Sequence, residues 1–130
     1  MNRLILFTLI FLSALNSNAQ IDTAFWFAAP DASSAYGYDR PIYLRITSYQ
    51  QPCIVTISQP AGGGLPAQSF TMPANTTQGI DLTTWINNIE CAPGNIIQNK
   101  GIKITSDNNN AVYYEVSVGG PNPEFFAFKG

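Results

Sequence analysis

The sequence predicts an all-β fold: an antiparallel β-sandwich-like domain built from hairpins, with one short helix near residues 82–90. Apolar and polar residues alternate with a period of two in several short segments, as in half-buried strands. The chain after residue 19 is rich in Thr, Asn, Ile, Val and Tyr and poor in Glu, Lys and Leu, which favours strands and polar turns over helices. Clusters of Pro, Gly and Asn separate the alternating segments and predict turns between them.

The first nineteen residues have the pattern of a secretory signal peptide. Arg3 supplies a positive charge, residues 4–15 are almost entirely apolar, and Ser17-Asn18-Ala19 places small residues before a cleavage site after Ala19. The apolar run is too short for a membrane span, which needs about 20 residues. We therefore expect a protein that is secreted or held at the cell surface, with one β domain over residues 20–130.

The charge of the remaining chain argues against two classes of partner. Loss of Arg3 leaves five basic and eight acidic residues, a net charge of −3, and no run of basic residues. Nucleic acids and anionic membrane surfaces are bound through basic patches. We therefore expect no nucleic-acid partner and no binding to an anionic membrane surface, while the short apolar run predicts no membrane span.

Two alternating segments predict the first hairpin. Their inward-facing apolar residues are Ile42, Leu44, Ile46, Cys53, Val55 and Ile57. Even-numbered inward positions face odd-numbered ones only across a loop of even length, and residues 49–52 supply four residues. In that register Ile46 lies opposite Val55.

Further strands are expected at 23–29, 68–72 and 76–82. After them the apolar period becomes that of a helix, with Asp81 or Thr83 as its cap and a stop at Pro93-Gly94. The apolar stripe of this helix consists of Leu82, Trp85, Ile86 and Ile89. Its position on the stripe predicts that Trp85 closes the end of the sandwich, rather than stacking on a ligand.

The asparagine run at 108–110 is interpreted as the turn of a second hairpin. The inward-facing residues of its two strands are Ile102, Ile104, Val112, Tyr114, Val116 and Val118. A three-residue turn suits asparagine, which tolerates left-handed backbone. This register pairs Lys103 with Glu115 and Thr105 with Tyr113. A calcium loop is the alternative, but Ala111 stands where a further oxygen ligand is needed.

The two cysteines, Cys53 and Cys91, are expected to form a disulfide, because an exported protein meets an oxidising environment. Two buried free thiols are the alternative. Their spacing matches no zinc site, and the chain contains no histidine. We therefore expect no metal and no cofactor.

The residues also argue against catalysis. Histidine, the commonest general base, is absent, and no Gly-x-Ser-x-Gly nucleophile motif occurs. Asp31 and Asp39 lie in a turn-rich loop where acidic residues are ordinary. The prediction is that the chain is not an enzyme and has no catalytic residues.

Residues 99–117, "NKGIKITSDNNNAVYYEVS", resemble the hallmark segment of the IgGFc-binding protein N-terminal domain, roughly Lys-Gly-Ile-x-Ile-Thr-Ser-Asp-x-Pro-Val-x-Val-Tyr. "FWFAAP" (25–30) and "PANTTQGIDL" (73–82) are similar to its opening and middle. The residues at matching places in the hallmark are Lys100, Gly101, Ile102, Ile104, Thr105, Ser106, Asp107, Val112 and Tyr113.

The resemblance points to the bacterial branch of this family, whose members are large secreted or surface proteins. It implies an extracellular binding or adhesion module, with an unidentified protein or glycan ligand. It also implies that the domain continues past Gly130 as part of a larger multidomain chain. A structural spacer domain of a surface or gliding protein is the alternative function, followed by a fragment of a carbohydrate-active enzyme.

The two predicted hairpins together suggest a binding surface. If they share a sheet, Tyr43 and Arg45 lie beside Tyr113 and the Lys103–Glu115 pair on the outward face. Tyrosine and arginine are enriched in binding hot spots. An ordinary solvated sheet face is the alternative, since the same residue types suit cross-strand pairing.

Overall fold

The structure is a computed structural model that describes residues 21–31, 40–116 and 124–127. The predicted signal peptide, Asp39 and Val118 lie outside these residues. The strands are β1 (Asp22–Phe27), β2 (Ile42–Ser48), β3 (Cys53–Ser58), β4 (Gln68–Met72), β5 (Thr77–Asp81), β6 (Ile102–Val116) and β7 (Glu124–Ala127). A 3₁₀ turn at Thr83–Trp85 continues into a short helix, α1 (Ile86–Ile89). The described strands pair antiparallel, which confirms the all-β, antiparallel class with one short helix.

β2 and β3 lie end to end along one edge of β6. Asn110 pairs with Ser48 of β2 on one side and with Asp22 of β1 on the other, so β1 and β2 flank opposite edges. β1 and β3 also pair with the same stretch of β6, at Lys103 for example, and so flank opposite edges as well. β2 and β3 therefore share one edge of β6.

The predicted hairpin between β2 and β3 is wrong. Ile46 pairs with Val112 and Gln78, whereas Val55 pairs with Ser106 and Phe70. Between Ser48 and Val55 the chain takes seven steps, while β6 takes four between their partners, so three extra residues bulge out. Because the number of extra residues is odd, the inward-facing positions change from even-numbered in β2 to odd-numbered in β3. A hairpin with a four-residue loop would produce the same change, so the sequence pattern could not distinguish the two arrangements.

β4 lies along the outer edge of β3, and β5 lies along the outer edge of β2. β4 pairs with β3 and β5 pairs with β2, and residues 73–76 bulge out between them. The actual hairpin thus has two long, interrupted arms joined by residues 59–67. Asn75 in the second bulge has a left-handed backbone with φ of 54°, a conformation that asparagine tolerates well.

The predicted turn at 108–110 is also wrong, because β6 runs unbroken from Ile102 to Val116. The Ser106 hydroxyl donates to the Asn108 carbonyl at 2.6 Å, and the fully buried Asn110 amide donates to that hydroxyl. These contacts join residues two and four apart, which an extended strand would keep separate, so β6 bulges here without ending. From Thr105 to Asn110 it takes five steps, while its partner β1 takes two between Ala24 and Asp22. The inward-facing positions are even-numbered on both sides of the asparagines, which suits a continuous strand as well as a hairpin.

The sheet folds over on itself at the middle of β6. Phe27 pairs with Ile102 at the start of β6, twelve residues from Tyr114. A straight strand of that length would separate them by about 40 Å. The Phe27 and Tyr114 ring centroids nevertheless lie 5.3 Å apart. The two halves of the sheet therefore face each other and enclose one core, whose largest fully buried side chains include Phe25, Leu44, Ile46, Ile57, Ile104 and Tyr114.

The short helix covers one end of this core. The apolar stripe is confirmed, because Leu82, Ile86 and Ile89 are buried and Trp85 packs against the core. The N-cap of the turn is Leu82, which forms no side-chain cap hydrogen bond, and not Asp81 or Thr83 as expected. Asp81, one residue earlier, accepts a hydrogen bond from the Thr83 backbone amide at 2.8 Å. Trp85 thus packs as a closing residue, as predicted. No helix among the described residues is long and apolar enough to cross a membrane.

The expected Cys53–Cys91 bond is absent from the structure, in which both cysteines are free. Cys53 begins β3, while Cys91 follows the helix whose Asn88 carbonyl accepts a hydrogen bond from Gln59, just past the other end of β3. A strand of this length measures roughly 20 Å. A disulfide needs Cα atoms about 4.4–6.8 Å apart.

Burial raises the pKa of the Cys53 thiol, and the charge of Asp107 raises it further.

The last described strand has its partner within the chain. β7 pairs antiparallel with the second half of β6, from Tyr113↔Ala127 to Val116↔Glu124.

Candidate binding surfaces

Arg45 is the centre of the surface that the sequence predicted. It projects outward from the middle of β2, and its guanidinium carbon lies 4.8 Å from the ring centroid of Tyr43. Its Nε donates to Oε2 of Glu115 at 2.5 Å. This hydrogen bond raises the pKa of Arg45. Burial opposes the rise to a smaller extent, and the charges of Glu115 and Tyr43 contribute still smaller increases.

Gly79 provides the space in which this guanidinium lies. Gly79 is the direct partner of Arg45 across the β2–β5 pair, and a Cβ there would lie 2.5 Å from Nη1 of Arg45. The arginine is thus held by an aromatic ring, a carboxylate and a gap in the neighbouring strand. Its terminal nitrogens have no hydrogen-bond partner among the described residues, and 41 % of the side chain is exposed.

Two tyrosines complete this surface. Tyr113 is the β6 partner of Arg45, and Tyr43 is the β2 partner of Glu115. Four of the five predicted site residues therefore do lie together: Tyr43, Arg45, Tyr113 and Glu115. We call this surface the tyrosine–arginine face.

Lys103, the fifth predicted residue, lies elsewhere. It pairs with Trp26 and Ser58 in the first half of β6, and its Nζ lies 5.1 Å from the Trp26 ring centroid. The predicted pairing of Lys103 with Glu115 is therefore wrong, as is that of Thr105 with Tyr113, because it depended on a turn that does not form. Glu115 instead pairs with Arg45.

Sequence reasoning missed Trp26, whose side chain is 57 % exposed. In β1 it alternates with the buried Phe25 and the half-buried Phe27. The three consecutive aromatic residues concealed which of them faces solvent. The alternation of β1 was the one signal that could have found it, because Phe25 and Phe27 face the core.

A cleft opens where the folded sheet bends. It has a volume of about 440 Å³, and it is lined by Ile21, Thr23, Tyr49, Gln50, Gln51, Asp107, Asn108 and Asn109. The first two residues come from the start of β1, the next three from the β2–β3 bulge, and the last three from the middle of β6. No segment of the sequence predicts the cleft, because it exists only where these three meet.

Hydrogen bonds hold the walls of the cleft. The backbone N–H of Asn75 donates to the Tyr49 carbonyl at 2.7 Å, and the side-chain Nδ2 of Asn108 donates to the Pro52 carbonyl at 2.9 Å. Oδ1 of Asp107 accepts from the Ile54 amide at 2.7 Å. These bonds fix both ends of the β2–β3 bulge against its neighbours.

The described residues contain no group of three or more His, Cys, Asp or Glu side chains placed to hold a metal ion. Asp107 is the one carboxylate in the cleft lining. Comparisons with known proteins give no match: no protein-family model, no curated protein and no solved structure matches the chain.

Proposed function

We propose that this chain is a non-catalytic recognition or adhesion module of a secreted or cell-surface protein, and that it binds its partner through the tyrosine–arginine face. The signal-peptide pattern of residues 1–19 and the resemblance to the IgGFc-binding protein N-terminal domain support the extracellular setting. The negative net charge and the absence of a run of basic residues in the sequence favour a protein or glycan partner over a nucleic acid.

The observation that carries the proposal is the way Arg45 is held. A long side chain normally loses conformational entropy when it binds, often about 0.5–1.5 kcal/mol for each immobilised side chain. Tyr43, Glu115 and the gap at Gly79 already order Arg45, so less of this cost remains. Its terminal nitrogens are left for an acceptor from a partner.

The chemistry of this face indicates the kind of group it recognises. A guanidinium donates two parallel hydrogen bonds to a carboxylate. Tyrosine and arginine together provide contact area and hydrogen bonds, and both are enriched in hot spots. The ligand of the face is therefore an extracellular protein or glycan that offers a carboxylate between two aromatic contacts.

Alanine substitution tests the face as a whole. Replacement of Tyr43, Arg45 and Tyr113 should abolish adhesion to cells, mucin or antibody Fc, whichever the parent chain binds. Glu115→Gln is included with Arg45→Ala, because it avoids leaving a half-buried carboxylate unpaired. Trp26→Ala is the control on the opposite layer. Adhesion that survives the combined variant with an unchanged melting temperature would contradict the proposal.

Gly79→Ala tests the placement of Arg45 without removing any binding group. The added Cβ displaces the flexible end of Arg45, so the fold should be retained while adhesion falls. Gly101→Ala is the matched control, because a Cβ at Gly101 meets nothing within 4 Å. Equal adhesion of both variants would show that the placement of Arg45 is irrelevant. A parent chain that binds none of the three probes would favour the structural spacer.

Export is tested separately. The intact mass of secreted material should correspond to a chain that begins at Gln20. Exported protein that retains Met1 would contradict cleavage after Ala19.

A further inference from the structure

We infer that the cleft at the bend of the sheet is a second binding site, and that its ligand is an uncharged saccharide. The site shares no residue with the tyrosine–arginine face. Its volume of about 440 Å³ falls within the range of about 300–1,000 Å³ that is typical of small-ligand sites.

The lining of the cleft matches the hydrogen-bonding groups of a sugar. Its four primary amides come from Gln50, Gln51, Asn108 and Asn109, and each has two donors and an acceptor, although Asn108 uses one donor for the Pro52 carbonyl. Asp107 adds a carboxylate that only accepts. A sugar hydroxyl both donates and accepts, so neighbouring hydroxyls can satisfy amides and the carboxylate together.

The cleft also offers apolar contacts for the C–H face of a sugar ring. Tyr49 and Ile21 are the large apolar or aromatic side chains of its lining, and they are 37 % and 42 % exposed. An exposed ring beside several amides combines an apolar platform with directional hydrogen bonds, which orient a ligand in a small-molecule site.

Other classes of ligand fit the lining less well. No Lys or Arg lines the cleft, so phosphate, sulfate and carboxylate groups would find no opposite charge. A calcium ion takes six to eight oxygen ligands, commonly with several carboxylates, and Asp107 is the one carboxylate here. A lipid chain would leave the polar groups of the lining without partners. An uncharged saccharide avoids each of these conflicts.

The cleft is largely formed before a ligand arrives. Asp107 and Asn108 are fixed by their bonds to Ile54 and Pro52, which use one oxygen of Asp107 and the amide nitrogen of Asn108. Oδ2 of Asp107 and Oδ1 of Asn108 have no hydrogen-bond partner among the described residues. Two ordered acceptors are therefore available in a site whose backbone is already tied down, which reduces the entropy lost on binding.

The test is a titration of the full chain with a panel of saccharides. Glucose, galactose, mannose, N-acetylglucosamine and their short uncharged oligomers are compared with sialyllactose and with calcium chloride. At least one uncharged saccharide should shift the backbone NMR signals of residues 49–51 and 107–109, and calorimetry then gives its Kd. At these residues sialyllactose and calcium should bind at least tenfold more weakly. No shift of residues 49–51 and 107–109 with any uncharged saccharide, or tighter binding of either charged probe as measured by the shifts of those same residues, would overturn the inference.

Matched variants connect binding to the cleft. Gln50→Ala should weaken the saccharide at least tenfold, whereas Gln78→Ala, which removes the same group from exposed β5, should leave Kd unchanged. Asp107→Asn keeps an acceptor for the Ile54 amide and should still weaken binding, because it replaces the stronger acceptor. An unchanged Kd for Gln50→Ala would overturn the site. Adhesion through the tyrosine–arginine face should be unaffected by Gln50→Ala, so the two proposals fail separately.

Discussion

The first half of β6, from Ile102 to Ser106, and its second half, from Asn110 to Val116, face their odd-numbered side chains toward different sides of the molecule. In the first half Lys103 lies over the ring of Trp26. In the second half Glu115 pairs with Arg45. The two halves belong to one strand and one alternation, but the sheet bends between them, so its two outward faces are separate surfaces.

The interior shows the opposite relation between the two halves. The even-numbered Ile104 and Tyr114 enter the same core, which also includes Ile57 from β3 and Ile46 from β2. A bent strand thus joins the buried faces of two layers while it separates their exposed faces. The two proposed binding sites therefore lie on one outward face and at the bend, whereas stability depends on one shared interior.

The largest effects are expected in that shared interior. Ile57→Ala in the first layer and Ile46→Ala in the second should each lower the free energy of unfolding by about 2–5 kcal/mol, because both side chains are fully buried. Ile54→Ala is the control in β3, since its side chain is 54 % exposed and should change the free energy by about 0.5 kcal/mol or less.

These changes are measured by urea denaturation, with unfolding detected both by tryptophan fluorescence and by circular dichroism. The two probes should give one coincident transition in every variant, as one cooperative core requires. Separate transitions would mean that the two layers fold as independent units and would break the comparison.

The next effect concerns the bend. Ser48→Ala should cost about 1–3 kcal/mol, because it leaves the backbone amide of the half-buried Thr76 without its hydrogen-bond acceptor. The Ser48 hydroxyl donates to the Pro73 carbonyl at 2.5 Å and accepts from the Thr76 amide at 3.1 Å. Ser58→Ala, away from the bend, removes only a contact of 3.5 Å and should cost less. Equal midpoints for the two variants in urea would show that Ser48 does not fasten the bend.

A smaller effect distinguishes the observed ion pair from the one expected from sequence. A double-mutant cycle between Arg45 and Glu115 should give a coupling of about 0.2–1 kcal/mol that declines in high salt, as is usual for exposed pairs. The same cycle between Lys103 and Glu115 should give no coupling within error, because the two residues lie on different faces. A larger coupling for the second pair would favour the hairpin register over the bent strand.

The smallest effect on stability involves the cysteines. The raised pKa of Cys53 means that the folded state retains its thiol proton at pH values where the unfolded state has lost it. Its contribution to stability is therefore complete below about pH 8.5, the ordinary cysteine value, and declines as pH rises toward the folded pKa. The difference in unfolding free energy between the parent chain and Cys53→Ala should narrow over that interval.

Thiol labelling provides the matched measurement. In native protein without reductant, Cys91 should react faster than Cys53, because Cys91 is half-buried and Cys53 is 2 % exposed. Peptide mapping identifies the labelled residue. A linked Cys53–Cys91 peptide in freshly secreted protein would instead support the disulfide and require a different arrangement of β3 and the helix.

In β2 and in the helical stripe, the sequence by itself determined which side chains face the core. Ile42, Leu44 and Ile46 were identified from alternation alone, as was the helical stripe that ends at Ile89, and all are buried. Tyr43 and Arg45 were placed on the outward face for the same reason. These properties are local, because the period of two in a strand and of 3.6 in a helix depends only on neighbouring residues.

Only the tertiary structure decided which strands pair, where β6 continues and which surface residues meet. A hairpin and a three-residue bulge both carry the inward positions from Ile46 to Val55, and a turn and a continuous strand both preserve the even positions across Asn108–Asn110. The cleft likewise requires residues from three distant segments. Strand pairing is set by packing and hydrogen bonds between segments far apart in the chain, and the alternation within one segment contains no information about its partner.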